Sequence, residues 1–251
     1  MLKTRIIPTL LWKDYGLVKG QKFDSWRVIG SILPSVKVFN TRQVDELVIL
    51  DISATQQQRK IDFKTIKEVA GFCFVPLSVG GGIRDVEDAK ELLRSGADKV
   101  VINSVCYENP DFITELSKKF GSQCVVVSID VKKHEDGKYY CYSHAGTVST
   151  GQEMLAFAKM AEEKGAGEII LNDIERDGVM NGYNLEITKQ VSEIVNIPLI
   201  ISGGAGRLED FSEAFNEGAN ALAAAAIFQF TQVTPMEIKD HLKTQGIPVR
   251  K

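Results

Sequence analysis

Two glycine turns, Gly80-Gly81-Gly82 and Gly203-Gly204, each follow a β-branched run and precede a segment of helical periodicity. Glycine at such a turn lets the backbone come close to a ligand and exposes N–H groups at the positive end of the next helix, an arrangement that attracts anions. On this reading Gly82, Asn103 and Ser104 form one phosphate site, and Gly204, Ala225 and Ala226 form a second, with a contribution from Gly178. A tight turn alone would explain a single Gly-Gly pair. Two copies in register point to phosphate, and two sites facing one another imply a bisphosphate or a long phosphorylated ligand.

Other chemistries find less support. Cys73, Cys106, Cys124 and Cys141 form no C-x-x-C pair and read as reduced core thiols. His134, His144 and His241 are too scattered for a zinc cluster, so no metal is expected. Gly80-Gly81-Gly82 is not a dinucleotide fingerprint, and no cofactor is expected. The net charge of −3 offers no basic field for nucleic acid or an anionic membrane. Met1 leads straight into the apolar run Ile6–Leu11, and no stretch approaches the length of a membrane span, so the expected location is the cytoplasm.

The elements that position these turns alternate along the whole chain. Strands are expected at Arg5–Leu11, Glu46–Ile52, Pro76–Val79, Lys99–Asn103, Gln123–Ile129, Glu168–Leu171, Pro198–Ser202 and Ala221–Ala225. Helical patterns such as Val86–Ser95 and Leu208–Glu217 follow them, and Gly96, Gly165 and Gly218 stand where helices stop. Eight βα units in 251 residues, without a composition break, predict an α/β fold: a single (β/α)₈ TIM barrel, with an open doubly wound sheet as the competitor.

An internal repeat supports closure. Val75–Ser104 aligns with Ile197–Ala226 without a gap, with nine identities in thirty columns. Pro76/Pro198, Gly81/Gly203, Gly82/Gly204, Asp88/Asp210 and Gly96/Gly218 coincide at an offset of 122 residues, as do Asp51 and Asp173. A period near half the chain is too long for a solenoid and reads as two half-barrels, about 1–121 and 122–251.

The ordered motifs RII (Arg5–Ile7), VKG (Val18–Gly20), DELVILDI (Asp45–Ile52), VGGGI (Val79–Ile83) and GADKVVINS (Gly96–Ser104) resemble the HisF family, the cyclase subunit of imidazole glycerol phosphate synthase. FGSQ (Phe120–Gln123), SID (Ser128–Asp130), GAGEI (Gly165–Ile169), RDG (Arg176–Gly178) and SGGAG (Ser202–Gly206) extend the resemblance to nearly the C-terminus. The family implies a HisH-like glutaminase partner on the N-terminal face of the barrel. It also implies ammonia passing through the core to a bisphosphorylated ribulosyl substrate at the other end.

Carried over position by position, the resemblance implies an ammonia gate of Arg5, Glu46, Lys99 and Glu168, all at strand starts. The same four charges also read as a buried salt-bridge cluster that closes the floor. Asp98 and Gln123 match the glutaminase face, and Lys19, Asp51 and Asp177 match substrate-binding positions. Of the family's two acid/base aspartates, Asp130 stands at the second position and Leu11 at the first. Leucine moves no proton, and general acid–base catalysis is worth about 10²–10⁴-fold per group. Ala145 and Ala226 stand near positions where the family carries serines.

The start RIIP-x-LL, Tyr15 and the segment Asp24–Pro34 are similar to a paralogous branch that pairs with a HisH-like glutaminase. That branch implies ammonia supply to a third protein, a sugar amidotransferase of surface-polysaccharide or nonulosonic-acid synthesis. The alternatives are an authentic cyclase of histidine biosynthesis, a HisA-like phosphosugar isomerase and a non-catalytic scaffold.

Overall fold

The computed structural model describes residues 3–14 and 16–250, so Met1 and Tyr15 lie outside the described residues. Its strands are β1 (Arg5–Lys13), β2 (Gly16–Gln21), β3 (Asp24–Gly30), β4 (Leu47–Asp51), β5 (Leu77–Gly80), β6 (Lys99–Ile102), β7 (Val125–Lys133), β8 (Tyr139–Ser143), β9 (Val148–Glu153), β10 (Glu168–Asp173), β11 (Leu199–Ser202) and β12 (Ala221–Ala224). Eight of them pair in parallel in the order β1, β4, β5, β6, β7, β10, β11, β12, and β12 pairs back to β1. The sheet therefore closes, and the open-sheet alternative is excluded. All eight expected strands exist, with shifted ends: Glu46, Pro76 and Pro198 stand just before their strands, Asn103 and Ala225 just after. Gln123 lies in a short 3₁₀ turn, Ser122–Cys124, and β7 begins at Val125.

Parallel strands buried on both faces read as continuous apolar runs. Alternate residues then divide between two cores. Ile7, Val48, Val101, Val126, Ile170, Ile200, Ala221 and Ala223 pack inside the barrel. Their neighbours, among them Ile6, Leu47, Ile49, Val100, Val127 and Leu222, face the surrounding helices. Those helices are α1 (Ile32–Thr41), α2 (Phe63–Ala70), α3 (Val86–Arg94), α4 (Ser104–Glu108), α5 (Asp111–Phe120), α6 (Met154–Glu163), α7 (Leu185–Ser192), α8 (Leu208–Asn216), α9 (Ala226–Phe230) and α10 (Pro235–Thr244). None is long and apolar enough to cross a membrane. Cys106 and Cys141 are core thiols, Cys73 and Cys124 are half-buried, and all four are free.

The offset of 122 residues recurs in hydrogen bonds. The Leu77 N–H donates to Asp98 Oδ2 and the Leu199 N–H to Asn220 Oδ1, both at 2.8 Å. The Arg84 N–H donates to Asp88, as the Gly206 N–H does to Asp210.

Two antiparallel hairpins were not expected from the sequence. β2 pairs with the C-terminal end of β1 and with β3, and β8 pairs with the end of β7 and with β9. β3 is mostly exposed and mixes Trp26, Val28 and Ile29 with Asp24, Ser25 and Arg27 out of strict register, so it lacks the alternation that marks a half-buried strand. Both hairpins rise from the rim of the barrel and form walls around its mouth.

Candidate functional site

The C-terminal ends of the strands surround a cavity of about 480 Å³ that reaches down to Val48 and Ile170 of the barrel core. Leu11, Asp51, Gly82, Asn103, Ser104, Asp130, Asp177, Gly178, Gly204, Ala225 and Ala226 all line it. Leu11 and Ala226, 215 positions apart in the chain, are thus brought to one mouth. Lys19 is absent from that lining. It is 5% exposed behind the wall, where its Nζ donates to the Thr9 carbonyl at 2.9 Å.

Asp130 follows Ile129 near the end of β7 and is 8% exposed. Asn103 Nδ2 donates to its Oδ2 at 3.2 Å, and Ser128 Oγ donates to its Oδ1 at 3.4 Å. Burial, then the charge of Asp177, raises the Asp130 carboxyl to about 7, against hydrogen bonds from Ser128 and Asn172. Burial likewise raises Asp177 to about 6, opposed by Lys19, and lowers Lys19 to about 8, opposed by Asp177. Two carboxyls that titrate near neutrality on one cavity are suited to proton transfer. Leu11 faces the same cavity with nothing to donate or accept.

The two glycine turns keep their equivalence. Gly82 has φ of +69° and Gly204 of +111°, so both need the freedom of glycine. Asn103 and Ala225, at the starts of α4 and α9, also share an unusual backbone, with φ near −137° combined with ψ of −86° and −65°. Their chemistry differs. Ser104 Oγ accepts from the His144 N–H and donates to Asn103 Oδ1, whereas Ala225 and Ala226 bring no hydroxyl to the other side.

At the opposite end, Arg5, Glu46, Lys99 and Glu168 form a closed ring of alternating charge. Arg5 Nη1 lies 2.7 Å from Glu46 and 3.0 Å from Glu168. Lys99 Nζ lies 3.0 Å from Glu46 and 2.9 Å from Glu168. Ser78 Oγ adds a hydrogen bond to Glu46 at 2.6 Å. The carboxylates are half-barrel mates, 122 residues apart, and each touches both cations. Arg5 and Glu46 are buried, and Lys99 and Glu168 are nearly so, facing the floor.

A family model described as "Histidine biosynthesis protein" matches residues 5–234. Imidazole glycerol phosphate synthase subunit HisF of Alkaliphilus metalliredigens is 43% identical over 252 residues, covering 100% of both chains. The protein of that name from Chlorobium limicola is 45% identical over 251 residues, again covering 100% of both. The chain belongs to the HisF family. A Campylobacter jejuni relative, 45% identical over 250 residues with 100% and 99% coverage, is designated imidazole glycerol phosphate synthase subunit hisF2, its assignment marked provisional.

Within this HisF chain, several expected site residues have other engagements. Asp51 holds a bidentate pair with Arg59, at 2.6 and 3.0 Å, and accepts the Ser53 and Ala54 N–H groups. Its carboxylate organises the loop after β4. Asp98 and Gln123 are exposed at the floor, Asp98 also accepting the Leu77 N–H. The cavity further contains Phe23, Trp26, Thr55, Arg84, His144 and Asn172, which sequence reasoning did not select. Phe23 and Trp26 lie on the unforeseen β2–β3 hairpin, and His144 on the turn between β8 and β9. For Thr55 a signal existed, because it stands 122 residues before Asp177.

Proposed function

We propose that this chain is the synthase subunit of a glutaminase-coupled complex that holds a phosphorylated ligand across the barrel mouth. Ammonia from a HisH-like glutaminase on the floor face, near Asp98 and Gln123, passes the ring of Arg5, Glu46, Lys99 and Glu168. It then crosses the barrel interior to the cavity. The phosphate groups rest on the two turns, at Gly82, Asn103 and Ser104 and at Gly178, Gly204, Ala225 and Ala226. Asp177 faces the ligand, while Asp51 shapes the adjoining loop through Arg59 and Lys19 braces the wall from behind. The observation that carries the finer reading is Leu11, an apolar side chain on the cavity wall that also holds Asp130. With one acid of the family pair missing and the floor ring intact, the chain serves as a paralogue. It supplies ammonia to a third protein that amidates a sugar for surface polysaccharide or nonulosonic acid. The hisF2 designation of the Campylobacter jejuni relative agrees with such a branch.

One observation favours an authentic cyclase of histidine biosynthesis instead. Asp177, raised to about 6 beside Asp130, is a second carboxyl able to exchange protons where Leu11 cannot. One assay separates the readings. The bisphosphorylated ribulosyl substrate is supplied with ammonium salt to the wild type and to Leu11→Asp. The paralogue reading expects no wild-type turnover and some turnover in the variant. Wild-type turnover equal to that of a HisF enzyme assayed alongside would sink it.

A further inference from the structure

The cavity holds one polar contact that neither the mechanism nor the resemblance uses. The loop after β4 passes directly over Gly82, where a Cβ would come within 2.7 Å of the Arg59 carbonyl oxygen and 2.8 Å of Ala54 Cβ. The missing side chain of Gly82 therefore admits the loop. The Gly82 N–H, buried at this crossing, donates to Thr55 Oγ1 at 3.3 Å. This is the amide that the phosphate reading assigns to a ligand oxygen.

The loop is tied down on three sides. Arg59 clasps Asp51 at its base, Gln57 Nε2 donates to Asp14 Oδ1 at 2.9 Å, and Gln56 Nε2 donates to the His144 carbonyl at 3.0 Å. It thus bridges the end of β1, the strand that carries Leu11, and the β8–β9 hairpin, which pairs with β7, the strand that carries Asp130. The internal repeat pairs Thr55 with Asp177, and both line the cavity. The turns that precede them also match: the Ser53 N–H donates to Asp51 Oδ1 as the Glu175 N–H donates to Asp173 Oδ1.

We infer that Thr55 is a positioning residue whose hydroxyl holds the place of a phosphate oxygen on the Gly82 amide. It satisfies that buried donor in the empty site and gives it up when a phosphate arrives. The inference rests on the phospholigand reading of the mouth. A buried N–H left without an acceptor is costly, so removing the hydroxyl destabilises the empty site and favours the occupied one.

The test titrates inorganic phosphate into the wild type, Thr55→Val and Thr55→Ser, following binding and backbone amide resonances. One hydrogen bond of ordinary net strength corresponds to about fivefold, so Thr55→Val is expected to bind phosphate about fivefold more tightly. Thr55→Ser keeps the hydroxyl and is expected to match the wild type. In the wild type, phosphate should move the Gly82 amide resonance. Equal or weaker binding by Thr55→Val overturns the inference. So does a phosphate that moves the Ser104 and Gly204 amides while Gly82 stays still, an outcome that leaves the phospholigand reading standing. Absence of binding in all three folded proteins removes both.

Discussion

Replacing Asp130 by asparagine should convert a pH-dependent cost into a pH-independent one. The Asp130 carboxyl is 8% exposed, and burial with the nearby Asp177 charge raises it from 3.8 to about 7. Between those values the folded protein holds a proton that the unfolded chain has released. Stability attributable to this group is therefore present below pH 3.8 and is lost as pH rises towards 7. The loss amounts to roughly 4 kcal/mol once the carboxylate is fully charged. Asp130→Asn keeps the shape and cannot ionise, so it escapes that loss. Urea denaturation of both proteins at intervals from pH 5 to 8.5 should show the variant gaining on the wild type with rising pH. Over this range the gain approaches 3 kcal/mol, on the order of what remains of the loss above pH 5. Asp177 titrates near 6 with the same sign in both proteins, so the difference between them isolates Asp130 to first order. A difference constant across that range, or a wild type that gains on the variant, would refute the assignment of a raised, buried carboxyl.

Lys99→Met leaves Glu46 and Glu168 sharing Arg5 alone, and should cost about 3–5 kcal/mol in urea denaturation. In the reconstituted complex the same variant should alter glutamine-dependent turnover more than ammonium-dependent turnover, and equal effects would count against a gate. Lys239→Met breaks a pair at 2.7 Å with Asp45 in which both side chains are almost fully buried, and should also cost about 3–5 kcal/mol. A melting temperature unchanged from wild type would show that the Ile6 N–H suffices to hold Asp45. Gly204→Ala would place a Cβ 2.2 Å from the Gly182 carbonyl at a φ of +111°, and should destabilise by more than about 2 kcal/mol. Thermal denaturation close to wild type would indicate that the Gly182 loop can yield.

The barrel was legible in the sequence because its signals are local. Strands buried on both faces show as runs such as Leu47–Asp51 and Val125–Lys133, and the glycines with left-handed backbone recur 122 residues apart. The same repeat announced the two turns of the mouth. The β2–β3 hairpin escaped because β3 is mostly exposed without a clean apolar–polar alternation, and its pairing depends on β1 and β2 already being in place. No reading of residue types could say that Asp51 is taken by Arg59 or that Thr55 caps Gly82. Nor could it say that Glu46 and Glu168 each touch both Arg5 and Lys99. The Asp51–Arg59 pair lies within one βα loop and the other contacts join different βα units, so their distances exist only once those loops and strands are packed together. The raised carboxyls of Asp130 and Asp177 belong to the same class. Their protonation is set by the low dielectric of a cavity that many segments build together, and only the closed barrel supplies it.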